Sequence, residues 1–102
     1  MLLYEVSLRV ERGCADALLA WLPGHMQRIL ALPGFEAAEV FEVAEHPPDA
    51  GRLLLCVHYR LHDSAALDAY LRDHAARMRA ESAELFGDRV RASRRILRPL
   101  PG

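Results

Sequence analysis

The sequence predicts an α+β fold with the element order β-α-β-β-α-β. This is the ferredoxin-like arrangement, a four-stranded antiparallel sheet carrying two helices on one face. Three observations predict it. Four segments alternate apolar and polar side chains with a period of two. Two longer segments carry apolar residues at helical spacing. Turn residues separate all six, and at 102 residues the chain suits one such domain.

Met1 to Val10 alternates cleanly: Leu2, Tyr4, Val6, Leu8 and Val10 share one face, and Leu3, Glu5, Ser7 and Arg9 the other. Glu11 to Gly13 is a turn. From Cys14 to Leu32 the period becomes helical, with Leu18, Leu22, His25, Ile29 and Leu32 on one stripe. Pro23-Gly24 interrupts it. The stripe keeps phase across Pro23, which predicts a kink and not two helices. Pro33-Gly34 ends the helix. The next strand sets Phe35, Ala37, Glu39, Phe41 and Val43 against Glu36, Ala38, Val40 and Glu42. The Pro, Asp and Gly of residues 46–51 predict a hairpin loop. Arg52 to Leu61 is a third strand, with Leu53, Leu55, Val57, Tyr59 and Leu61 on its apolar face. Asp63 or Ser64 caps a second helix with the stripe Leu67, Tyr70, Leu71, His74, Met78 and Leu85, and Gly87 stops it. The last strand runs from Arg89 to Arg98. The domain is expected over residues 1–98, with a short tail at 99–102.

The helix stripes cover one face of this sheet. The other is expected to carry Leu3, Glu5, Ser7, Ala38, Val40, Leu54, Cys56, His58, Ser93, Arg95 and Leu97. It is too apolar for water and too polar for an ordinary core. A sheet-to-sheet homodimer suits it, with Glu5, Ser7, Cys56, His58 and Arg95 as contact residues. The Arg-rich last strand leaves room for a higher assembly.

Composition excludes several functions. Thirteen basic groups against 14 acidic ones give a net charge of −1, which argues against a chain built to bind nucleic acid. The tyrosines Tyr4 and Tyr59 share phase with the helix-facing set, so a base-stacking platform is not expected. No apolar run is long enough to span a membrane and no signal peptide is evident, so a cytoplasmic protein is expected. Lys, Asn and Thr are absent, in a composition typical of a GC-rich bacterial genome. With no Lys there is no Schiff-base chemistry. Cys14 and Cys56 do not form a Cys-x-x-Cys motif or a disulfide framework. No metal site or cofactor is implied by the ligand spacings.

His25 and His74 stand out because each occupies a stripe position where Leu is expected. They are read as converging between helices and sheet, where Tyr4, Tyr59 and Trp21 can line a pocket and Arg77 can edge it. The alternative for both is a partly buried histidine satisfied by backbone or Glu.

The segments Leu3-Tyr4-Glu5-Val6, Trp21-Leu22 with His25, Ile29-Leu30, Gly34-Phe35, His58-Tyr59, Leu67 with Tyr70, Ala75-Ala76-Arg77-Met78-Arg79 and Phe86-Gly87-Asp88 carry a resemblance across nearly the whole chain. Together they are similar to a small bacterial family, domain-of-unknown-function family 4286, grouped with the dimeric α+β barrels. The resemblance implies a homodimer whose two sheets face each other, and it brings no catalytic residues.

Three functions compete. The first is binding of a small molecule between helices and sheet. The second is a cofactor-independent monooxygenase-like or isomerase-like enzyme using His25 and His74. The third is a purely structural or interaction module. With no nucleophile, base and orienter in an evident arrangement, the sequence favours binding over catalysis.

Overall fold

The computed structural model describes residues 1–45 and 49–101, so the first part of the expected hairpin loop, 46–48, lies outside the described residues. The strands are β1 (Leu2–Glu11), β2 (Phe35–Glu42), β3 (Arg52–Leu61) and β4 (Val90–Leu97). The α-helices are α1 (Ala15–Leu30), α2 (Ser64–Asp73) and α3 (Ala75–Phe86). The sheet order is β2-β3-β1-β4, and every neighbouring pair is antiparallel. This is the expected ferredoxin-like arrangement, with the second helical segment in two pieces.

The period-two pattern decides which face each strand buries. On β1, Leu2, Tyr4, Leu8 and Val10 are buried; on β3, Leu53, Leu55, Val57, Tyr59 and Leu61. These central strands form the floor of the core. Leu18, Leu22 and Ile29 of α1 pack down on it, with Leu67 and Tyr70 of α2 and Met78 and Phe86 of α3. Burying side chains of this size contributes about 1.5–3 kcal/mol each. α1 runs unbroken through Pro23. Asp63 caps α2, its carboxylate accepting from the Ala66 N–H at 2.9 Å.

Two expectations need correction. In β2 the register shifts between Phe35 and Ala37. The bulge spends one extra residue, so every later side chain changes face. Ala38 and Val40 therefore lie opposite Tyr59 and Val57 on the helix side, while Ala37, Glu39 and Phe41 join the other face. Phe41 lies 5.4 Å from the His58 ring, centroid to centroid. The second correction is at His74, whose φ of −131° breaks the helix. The buried set then steps from Tyr70 to Ala75 and on to Met78 and Phe86. This one-residue change of phase leaves Leu85 54% exposed, against the predicted stripe; Leu71, which precedes the break, is 39% exposed beside the buried Tyr70. The change of phase brings small Ala75 onto the sheet in place of an imidazole whose polar atoms would be costly to bury.

Gly34 joins α1 to β2 at φ +87°, and a Cβ there would overlap Ala66 at the start of α2. Gly87 sits at φ +57° with open space around it. Gly34→Ala should therefore cost about 2–4 kcal/mol, from both strain and overlap, and Gly87→Ala only about 1–2 kcal/mol. Urea denaturation of the two variants checks the difference; equal losses would show that the Ala66 approach is relieved cheaply.

Candidate functional site

A cavity of about 160 Å³ lies between the helices and the sheet. Tyr4 and Tyr59 of the central strands form part of its floor, and Trp21 and His25 of α1 line one side. Met78, Arg79 and Ser82 of α3 line the other, and Arg94 of β4 stands on the remaining edge. It opens along β4, where Ala92 and Arg94 are exposed because the helices do not reach over the edge strand.

Aromatic rings build most of the wall. Trp21 and His25 are one helical turn apart and stack at 4.4 Å with 25° between planes. Trp21 also meets Phe86 edge-on at 5.6 Å. Tyr4 packs edge-on against Tyr70 at 5.8 Å and lies 6.4 Å from Tyr59. Burial, then the neighbouring phenols Tyr70 and Tyr4, pushes the Tyr59 hydroxyl far above its usual pKa. Burial and Tyr4 push Tyr70 up to about 12, against the opposing charges of Arg79, Arg94 and Arg77. Both phenols therefore stay protonated across the physiological range.

His25 is held by a carboxylate. Its Nδ1 is 3.0 Å from Glu81 Oε1 on α3. Glu81 also accepts from Arg28 Nε at 3.0 Å and Nη2 at 2.7 Å. The Arg28 hydrogen bonds, followed by that of His25, hold the Glu81 carboxyl below its usual range despite burial. An ionised Glu81 makes Nδ1 the donor, so neutral His25 keeps Nε2 as a free acceptor. Chemically, this is a base with its orienting carboxylate, on the wall of an aromatic cavity.

Four of the six expected pocket residues, Tyr4, Tyr59, Trp21 and His25, meet at this cavity. His74 and Arg77 lie outside its lining. The break at His74 turns both away, and Arg77 Nη2 donates to His74 Nδ1 at 2.8 Å. Sequence reasoning missed Glu81, Arg79 and Arg94 as partners of the site. Only the fold brings Glu81, 56 residues away, to His25. Arg94 was legible, because it holds the apolar phase of the last strand between Ala92 and Ile96.

The second cluster lies on the uncovered sheet face. Glu5, at the middle of β1, is 6% exposed. Arg95 donates to its Oε1 from Nε at 2.7 Å and approaches with Nη2 at 2.6 Å; His58 Nε2 lies 2.8 Å from Oε2. These hydrogen bonds, His58 first and Arg95 next, lower the Glu5 pKa, with burial opposing them. Burial and Glu5 push the neighbouring Cys56 thiol up. Glu5, Cys56 and His58 offer ligand atoms within 4.8 Å of one another. A cation there would have to displace the Arg95 guanidinium and deprotonate that thiol, so the group is built as an ion pair. Cys14, the other cysteine, is buried at the start of α1 with its Sγ 3.4 Å from the Glu11 carbonyl.

The antiparallel sheet, the helices on one face and the cavity between them define a ferredoxin-like α+β protein. The chain belongs to the family described as Domain of unknown function (DUF4286), whose model matches residues 1–100. Comparison with curated proteins gave no match. Among solved structures, the chain is similar to a putative antibiotic biosynthesis monooxygenase from Deinococcus radiodurans, with a TM-score of 0.73 and 12% identity over 100% of this chain and 95% of that one. It is also similar to a mutant of SnoaB, a cofactor-independent oxygenase from Streptomyces nogalater, with a TM-score of 0.67 and 11% identity over 99% and 95%. A mutant of MhuD bound to two manganese protoporphyrin IX molecules per active site matches at 0.69 and 14%, over 100% and 97%. At these identities the likeness shows the fold alone. No helix among the described residues is long and apolar enough to cross a membrane.

The Glu81 pair carries a pH signature. Because its folded pKa is depressed, its contribution is complete above the ordinary value of 4.5 and is lost as pH falls through the lowered folded value. Glu81→Gln should destabilise the protein by about 1 kcal/mol at about pH 7 and by less at about pH 3, below the ordinary carboxyl value. Urea denaturation at the two pH values measures this. A difference independent of pH would mean that Glu81 contributes through packing and not through its charge.

Proposed function

We propose that this protein binds a small molecule in the cavity between helices and sheet, as a homodimer joined through the uncovered sheet faces. The observation that carries the binding role is the cavity itself: aromatic walls, polar groups at defined places and one open side along β4. No reacting constellation beyond His25 and Glu81 is needed for it. The dimer rests on the uncovered face. Phe41 is 45% exposed there, and Leu3, Leu54 and Leu97 are half-buried beside the Glu5 cluster. The protomer is a slab only 18 Å thick along its shortest axis, as expected of one sheet with one helical layer. A second sheet would bury the apolar positions and keep Glu5, Arg95 and His58 paired within the contact. Phe41 is a lone aromatic beside Glu39, which does not make a base-stacking surface.

A second reading is favoured by one observation, the His25–Glu81 pair. It makes His25 a general base for moving a proton on a bound carbonyl compound, as an isomerase-like enzyme does. His25→Gln should then abolish deuterium uptake beside the carbonyl of a bound cyclic ketone, and unchanged uptake would remove this reading.

Trp21 is the protein's one tryptophan and lines the cavity, so it reports binding directly. Benzyl alcohol, an uncharged single-ring probe, should change Trp21 emission saturably with a Kd on the order of 1 mM. Ala83→Phe, which fills the exposed rim, should remove that response without lowering the melting temperature. A linear, non-saturating response in the wild type would contradict the pocket.

A further inference from the structure

The cavity is electrically lopsided. Two guanidinium groups stand on it, Arg79 from α3 and Arg94 from β4, and no Asp or Glu among the described residues lines it. Arg79 Nη2 donates to the Tyr4 hydroxyl at 3.0 Å, a neutral partner. Arg94 has no hydrogen-bond or ion-pair partner among the described residues. Arg28, Arg52, Arg60, Arg72 and Arg95 pair with carboxylates, while Arg9, Arg91 and Arg98 share with Arg94 the lack of a partner among the described residues; Arg94 differs from those three in lining the cavity. Arg94 also lies opposite Val6, on the helix side of β4, where the neighbouring positions are Ala92 and Ile96. An arginine there gives up apolar contact without making an internal bond.

Size narrows the ligand further. An apolar cavity of about 150 Å³ holds one benzene molecule. At about 160 Å³ this cavity takes one ring, among Tyr4, Trp21 and Tyr59, and leaves the rest of the ligand at the open side. A carboxylate is the planar anion that guanidinium donors match best.

We infer that the ligand is a monocyclic carboxylate, with its ring against Tyr4, Trp21 and Tyr59 and its carboxylate between Arg79 and Arg94. This rests on the binding role proposed above and adds the chemical class of the ligand. His25 then sits beside the ring, and the two arginines fix which end enters.

The test compares phenylacetate with phenylacetamide, nearly equal in shape and different in charge, by Trp21 fluorescence titration. Phenylacetate should bind about tenfold tighter or more, and its advantage should shrink as salt is raised. Arg94→Gln and Arg79→Gln, both at exposed positions, should each reduce that advantage by weakening phenylacetate binding more than phenylacetamide binding. Equal binding of the two probes would overturn the carboxylate assignment and leave the pocket standing. An advantage that survives both substitutions would overturn the arginine assignment. If neither probe perturbs Trp21, the binding role itself fails and this inference falls with it.

Discussion

A single layer of helices covers a single face of a sheet, and the rest of this molecule follows from that constraint. The helices concentrate on β1 and β3, where the helix-facing side chains are almost all buried. The edge strands receive less cover. On β4, Ala92, Arg94 and Ile96 face the helix side yet remain exposed. That shortfall leaves the open side of the cavity. The opposite sheet face has no layer of its own, and there the apolar residues and the Glu5 cluster wait for one. Pocket and proposed interface are therefore two consequences of the same incomplete layering.

Glu5 shows how a charge is tolerated at the centre of such a face. Its two oxygens are divided between neighbouring strands, one to Arg95 of β4 and one to His58 of β3. Its low exposure comes from the side chains laid over it, because no second layer of protein covers that face. Losing either partner on closure by another sheet would leave an uncompensated carboxylate, which is costly. The cluster therefore ties three strands together and sets conditions on what can pack above it. An apolar replacement could be equally stable but would fix the register of a contact less well.

Much of the fold was legible because period-two and helical patterns are local. The strands β1 and β3 bury the residues their alternation names, and the α1 stripe holds through Pro23. The misreadings have local geometry too small for those patterns to reveal. One bulge after Phe35 exchanged Ala38 and Val40 for Ala37, Glu39 and Phe41 on the open face. One non-helical residue, His74, moved the second stripe by a position and removed His74 and Arg77 from the cavity lining. In the candidate site, Trp21 and His25 were visible as neighbours on one helix. Glu81 was not, because packing of α3 against α1 creates the pair. Arg94 carried a signal of its own, a charge in an apolar phase.

The central claim is that the uncovered face is closed by a second copy of the chain, leaving the cavity as the site that remains open to ligand. Native mass spectrometry of the purified protein at low micromolar concentration tests it most directly. The account predicts a dominant species at twice the 11.5 kDa chain mass. A spectrum containing only the 11.5 kDa monomer would contradict it and leave the apolar face around Glu5 without a partner.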